Sequence, residues 1–155
     1  MKISGLLIML TLVFSNLHGQ SNKEEVEYIQ SLFGMEKKAL VADFVKLDNA
    51  TKDSFWKLYD EYETARKELG KKRIELLVRY DNNFENLSDE VAGNLLTEIL
   101  SLTKKNDQLL ASYVKKIRKA TGPVTAMQFH QIEMYILSEI RVSIASSLPY
   151  PEIKQ

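Results

Sequence analysis

The segment that decides the fold class is residues 55–87, FWKLYDEYETARKELGKKRIELLVRYDNNFENL. One series of its apolar side chains is spaced seven residues apart: Phe55, Tyr62, Leu69 and Leu76. Side chains at this spacing share one face of an α-helix, and charged residues are frequent at the other positions. Asp48 and Asn49 precede the segment and can cap the first free amides of a helix. The pattern predicts a helix over residues 50–84.

The polar stretch that follows marks the start of a second helix. Ser88 is a capping residue, and apolar residues then recur at intervals of three and four up to Ala120. Basic residues crowd the last turn, where cations complement the helix dipole. A second helix is therefore predicted over residues 88–120. Two long helices joined by a short polar loop are typical of an antiparallel hairpin.

Gly122 and Pro123 are the strongest signal in the chain for the end of one helix and the start of another. Glycine suits the end of a helix, and proline suits the first turn of the next one. Apolar spacing predicts that this next helix covers residues 123–147, and a weaker pattern predicts one more over residues 26–46. No segment has the alternation of a β-strand. The sequence therefore predicts an all-α fold of four helices, with a long central antiparallel helical hairpin.

The first residues have the layout of a secretory signal peptide. A basic residue, Lys2, precedes an apolar run over residues 3–14, and a more polar stretch ends at Gly19. The run is shorter than the roughly 20 residues that span a bilayer as a helix. We therefore predict a signal peptide over residues 1–19 and a single all-helical domain over residues 20–155. The alternative is a buried N-terminal helix of a cytosolic protein.

Composition excludes several classes of protein. The chain has 155 residues, with 21 basic and 21 acidic side chains and no cysteine. The charge balance argues against an ordinary nucleic-acid binder, because no excess positive charge is available to neutralise phosphates. Without cysteine there is no disulfide, no thiolate nucleophile and none of the commonest structural zinc sites. Beyond the signal peptide, no apolar run is long enough for a membrane span, so we expect a soluble protein outside the cytoplasm.

No pattern in the sequence points to catalysis. His130 and Glu133 lie three residues apart on a predicted helix, but a di-metal bundle needs two Glu-x-x-His pairs, and here a single pair occurs in reverse order. No nucleophile motif or glycine-rich phosphate loop is present. The acidic residues Asp60, Glu61 and Glu63 are interpreted as a solvated helix face. We therefore expect no enzyme activity, no cofactor and no metal.

Aromatic and cationic residues are concentrated on the two long predicted helices, and two interpretations are open. In the first, the aromatic residues form the core and the cations keep the surface soluble. In the second, a thin, elongated fold leaves part of the apolar stripe exposed as a binding face rimmed by cations. The candidate client-binding or partner-binding residues are Phe55, Trp56, Tyr59, Tyr62, Lys71, Lys72, Arg73, Lys115 and Lys116.

Short motifs in the chain resemble the Spy/CpxP-like periplasmic proteins, a family with a repeated LTxxQ motif. Residues 124–128, VTAMQ, match the second copy with Val for Leu, and residues 47–51, LDNAT, lie where the first copy belongs. Residues 55–62, FWKLYDEY, resemble the FW..Y..Y opening of one branch, and residues 128–133, QFHQIE, resemble its RF.QIE stretch. The motif residues at the two helix starts are Leu47, Asp48, Thr51, Val124, Thr125 and Gln128.

The resemblance implies an elongated, cradle-like, all-α homodimer in the periplasm of a Gram-negative envelope. It implies an ATP-independent chaperone that holds unfolded protein clients on a concave, partly apolar and basic face. It also leaves open an envelope-stress regulatory module that binds a membrane sensor or an anti-sigma factor. Asp48 and Thr125 would be structural residues of helix starts. The metal-sensing branch of the family relies on histidines that this chain lacks.

Overall fold

The computed structural model describes the backbone of residues 23–151 and the side chains of residues 34–151. The described chain forms four α-helices: α1 (Lys23–Phe44), α2 (Lys52–Asn83), α3 (Asp89–Thr121) and α4 (Pro123–Ser147). A short 3-10 turn, Phe84–Asn86, follows α2. The predicted all-α class and the four helices are confirmed, and no strand occurs in the described range. The predicted signal peptide lies outside the described residues.

Short-range side-chain hydrogen bonds lie at the starts of the two long helices. At α2, one carboxylate oxygen of Asp48 accepts hydrogen bonds from the amide of Thr51 at 2.8 Å and from its hydroxyl at 2.6 Å. These hydrogen bonds hold the pKa of Asp48 below its ordinary value. At α3, the Ser88 hydroxyl accepts from the amide of Val91 at 3.3 Å. The Ser88 cap satisfies an amide that α3 itself leaves without a partner, whereas Asp48 closes the turn just before α2, where Thr51 makes no side-chain cap to the helix.

Gly122 makes the sharp turn between α3 and α4. Its φ of +93° is the one positive φ in the described chain. Residues that carry a Cβ rarely adopt this backbone conformation, so glycine is strongly favoured at this position. The Gly122 amide donates to the carbonyl of Arg118 at 3.0 Å, and Pro123 then occupies the first turn of α4. The chain therefore reverses within one residue.

Contacts between α2 and α3 pair residues in opposite sequence order. The rings of Tyr62 and Tyr113 lie 5.6 Å apart, whereas Arg79, further along α2, forms an ion pair at 2.8 Å with Glu98, which precedes Tyr113 on α3. A second, smaller apolar cluster around Leu76, Leu95 and Leu102 also joins these two helices. α4 packs against α3 and α1, and the four helices enclose a main core near the N-terminal end of α2 that contains Phe55 and Tyr62.

Candidate functional site

The aromatic residues expected on an exposed binding face lie mostly in the core. Phe55, Tyr59 and Tyr62 are fully buried, and Trp56 is half-buried against the same cluster. Of the two interpretations, burial in this conformation agrees with a core position for Phe55, Tyr59 and Tyr62, and a role of these side chains in client binding stays a prediction. Their stripe is covered by α1 and α4, which together bury the apolar surface that α2 and α3 alone would expose.

Phe129 of α4 organises this aromatic core. Its ring meets Phe55 at 6.1 Å, Tyr59 at 6.4 Å and Tyr62 at 5.4 Å between ring centroids, each nearly perpendicular. Edge-to-face contacts of this kind add stabilisation beyond the area they bury. We call Phe55, Tyr59, Tyr62 and Phe129 the aromatic cluster. α2 and α4 supply all four rings, and α1 contributes none of them.

The candidate cations do not gather at one site. Lys72, Lys115 and Lys116 are exposed, and Lys116 Nζ lies 4.1 Å from the ring centroid of Tyr113. Lys71 forms an ion pair at 3.3 Å with Glu68 on its own helix. Burial and the charge of Arg141 on α4 lower the pKa of Arg73. The cations therefore line different parts of the surface and do not surround the aromatic residues.

The motif residues link the helix starts to the neighbouring helices. The Gln128 side-chain carbonyl accepts a hydrogen bond at 3.1 Å from the amide of Lys46, just after α1. Thr125 is buried, and Leu47 packs against the main core. Val124, by contrast, is one of the most exposed apolar side chains. The segment from Val124 to Gln128 thus has one side against α1 and one side in solvent.

A cluster of buried charges was not predicted from the sequence. Lys37 of α1 is 1% exposed and donates to Glu63 of α2 and, at 2.8 Å, to Glu133 of α4, which is 0% exposed. Arg66 donates to both carboxylate oxygens of Glu63 at 2.9 and 3.0 Å. The Tyr62 hydroxyl donates to Glu133 at 2.8 Å. We call Lys37, Glu63, Arg66 and Glu133 the ion cluster; its two cations balance its two anions.

Charge pairing and burial decide the protonation states of Glu63 and Tyr62. Burial alone would raise the pKa of Glu63, but Lys37 and Arg66 outweigh burial and lower it. Burial, together with the carboxylates of Glu133 and Glu63, raises the pKa of Tyr62 far above its ordinary value. Glu63 is therefore ionised and Tyr62 neutral at pH 7, so that the phenol is a hydrogen-bond donor to Glu133.

Two buried polar atoms of this region lack a partner within the described range. They are the second carboxylate oxygen of Glu133 and the hydroxyl of Tyr59. A buried polar atom without a hydrogen bond is destabilising, because it has lost its hydration without replacement. The ion cluster is therefore only partly satisfied in this conformation.

The interpretation of Glu63 as part of a solvated face is corrected by this burial, whereas Asp60 and Glu61 are exposed. The sequence did carry a signal. Glu63 lies four residues after Tyr59, and Glu133 lies four residues after Phe129, so each acid falls on the apolar face of its helix. A charge inside an apolar stripe indicates a buried pair, and that spacing identifies the two acids.

The outer face of α4 is apolar, uncharged and open. Val124, Met127 and Val142 are 71%, 59% and 65% exposed, and Met134 and Tyr135 are exposed between them. Their spacing places them on one side of the helix, together with the uncharged Gln131 and Ser138. We call the residues Val124, Met127, Met134, Tyr135 and Val142 the α4 outer face.

The one histidine within the described range does not join a metal site. His130 is exposed, whereas Glu133 points into the core, so the two side chains do not converge. No group of three or more His, Cys, Asp or Glu between residues 34 and 151 is arranged to hold a metal ion. None of the four described helices is both long and apolar enough to cross a bilayer.

Comparisons with protein-family models, with curated proteins and with solved structures found no match to this chain.

Proposed function

We propose that this chain is an exported, chaperone-like protein that binds unfolded polypeptides without nucleotide and suppresses their aggregation. The observation that carries the proposal is the α4 outer face, a run of apolar side chains without a charge on the surface of an otherwise well-charged protein. Exposed apolar side chains that share one face and are bordered by polar residues are typical of interaction sites.

The composition of this face suits varied partners. Met127 and Met134 are exposed on it, and Met35, on α1, is exposed as well. Methionine side chains are unbranched and polarizable, so they adapt to partners of different shape and are common on promiscuous binding surfaces. A face that lacks charge also does not select clients by the sign of their net charge. Both properties are expected of a surface that holds many different unfolded chains weakly.

The remaining parts of the proposal come from the sequence. The signal-like residues 1–19 support export to the periplasm, and the motifs at residues 47–51 and 124–128 support kinship with the Spy/CpxP-like proteins. On this proposal α2 and α3 are the central hairpin of an elongated, cradle-like homodimer. In the described conformation the α4 outer face would bind clients, because the aromatic candidates Phe55, Tyr59 and Tyr62 are buried.

Light scattering of reduced insulin tests the proposal. The chain has no cysteine, so the reductant that makes insulin aggregate leaves it chemically unchanged. We expect the parent chain to suppress scattering, and the variant Val124→Ser, Met127→Gln, Val142→Ser to lose most of the effect. The matched control is Leu96→Ser, Leu100→Ser, which removes exposed apolar side chains from α3.

Equal protection by all three proteins would show that the α4 outer face is not the client surface. No protection by the parent at several-fold molar excess would contradict the chaperone function itself. A pull-down from envelope extract separates the alternative function: one stoichiometric partner indicates a regulatory module, and a mixture of proteins indicates a chaperone.

A further inference from the structure

We propose that α1 is a detachable cover positioned by the ion pairs of Lys37, and that its release exposes the aromatic cluster as a second surface for apolar segments of a polypeptide client. The proposal rests on the proposed chaperone function, which it extends by a surface hidden in the closed conformation. It is carried by what α1 contributes to the core and by what lies beneath it.

α1 lies on α2 through cations over aromatic rings. Lys37 Nζ is 5.1 Å from the ring centroid of Tyr62 and 5.8 Å from that of Tyr59. Lys38 Nζ is 5.3 Å from the ring of Trp56 and also pairs with the exposed carboxylate of Asp60. Cation–π contacts and ion pairs are polar interactions, and water competes for both once the groups separate. This part of the α1 interface is therefore easier to hydrate than a purely apolar helix interface.

The buried residues of α1 include one charge. Within the described range, Lys37 and Val41 are its buried side chains, Val45 is buried just after its last residue, and Leu40 and Phe44 are partly buried against the core. A buried charge gains little net stability from pairing, because its lost hydration offsets the attraction. On release of α1, Lys37 regains water, and so do the unpartnered oxygens of Glu133 and Tyr59. This rehydration lowers the free energy needed to separate α1 from the rest of the domain.

The surface under α1 remains organised when α1 leaves. All four rings of the aromatic cluster belong to α2 and α4, and Tyr62 also contacts Tyr113 of α3. The exposed surface would combine aromatic rings with the carboxylates of Glu63 and Glu133. Such a surface fits polypeptide segments that carry apolar side chains and Lys or Arg, since a client cation can replace Lys37. α1 and the client therefore compete for one site.

Thiol labelling measures the opening directly, because the chain has no native cysteine. Val41→Cys reports on α1, and Leu110→Cys, in the same core but on α3, is the control. If α1 opens separately from the rest, the Val41→Cys thiol reacts at least about tenfold faster than the Leu110→Cys thiol under native conditions. Equal rates would show that α1 opens only when the whole domain unfolds, which would overturn the proposal.

A cross-link tests the link between opening and binding. In the variant Lys38→Cys, Asp60→Cys, a short bismaleimide joins α1 to α2; in the control Arg79→Cys, Glu98→Cys, the same reagent joins α2 to α3. We expect the first cross-link to raise the molar ratio needed for half-protection of reduced insulin by about threefold, because a few aromatic anchors carry much of a binding energy. The control cross-link should not change this ratio.

Full protection by the α1-linked protein would show that the aromatic cluster is not a client surface, while leaving the α4 outer face and the chaperone function intact. Absence of protection by the unlinked variant and by the parent alike would instead contradict the chaperone function. The labelling rates would still decide whether α1 opens.

Discussion

Lys37 of α1 donates a hydrogen bond to Glu133 of α4 at 2.8 Å, and the two side chains are 1% and 0% exposed. This buried pair connects the first described helix to the last. A buried pair contributes little net stability when intact, but loss of one partner leaves a charge without compensation. The stability of the fold is therefore sensitive to substitution of either residue of this pair.

Removal of one member of the pair should destabilise the protein strongly. We expect Lys37→Met to lower the free energy of unfolding by about 3–5 kcal/mol, because Glu133 is left buried with Tyr62 as its remaining described hydrogen-bond donor. The control Arg79→Gln breaks an exposed ion pair and should cost at most about 1 kcal/mol. Urea unfolding measures both values. Similar costs for the two variants would show that the buried pair has no special role.

Stability should fall in acid through Glu63. Its folded-state pKa is lower than its ordinary value, so the folded state binds this proton less readily than the unfolded state does. The resulting stabilisation is fully present above the unfolded pKa of about 4.3 and is lost as pH falls through the lower, folded pKa. Urea midpoints measured from pH 6 downward should therefore decrease. Glu63→Gln should flatten this dependence, and an unchanged slope in that variant would contradict the assignment.

Neighbouring positions on α4 should respond very differently to truncation. Phe129→Ala removes the ring at the centre of the aromatic cluster and should cost about 3–5 kcal/mol. Met127→Ala removes an exposed side chain and should change stability by no more than about 0.5 kcal/mol. Thermal and urea unfolding measure both. A large cost at Met127 would mean that the α4 outer face is already covered in solution.

Two glycine substitutions should have opposite signs. Gly122→Ala places a Cβ where φ is +93°, which should cost about 1–3 kcal/mol although no atom within 4 Å obstructs the new methyl group. Gly93→Ala, in the exposed part of α3, meets nothing within 4 Å either and should stabilise the protein by about 1 kcal/mol. If both substitutions stabilise the protein, the turn before α4 differs from the one described.

Local patterns made the helices predictable. The predicted ranges 26–46, 50–84, 88–120 and 123–147 compare with observed helices over 23–44, 52–83, 89–121 and 123–147. Each boundary depends on residues close in sequence, such as the Ser88 cap and the turn at Gly122. Apolar spacing within one helix is equally local, so a single sequence contains this information.

The burial of particular side chains was less predictable, because it depends on distant partners. Lys37 is 26 residues from Glu63 and 96 residues from Glu133. Nothing near Lys37 in sequence indicates that two acids will meet it inside the core. For the same reason the stripe of Phe55, Tyr59 and Tyr62 was compatible with a core and with an open face. The position of α1 and α4 over that stripe decided between them.

The proposed function depends on the binding of unfolded polypeptides by the α4 outer face. Methyl NMR tests it most directly, with methionine methyl groups as probes and variants of Met127 and Met134 to assign their signals. On addition of reduced, unfolded α-lactalbumin, we expect both signals to shift or broaden in proportion to the client bound. Signals from Met127 and Met134 that stay unchanged at saturating client, while aggregation is still suppressed, would contradict it.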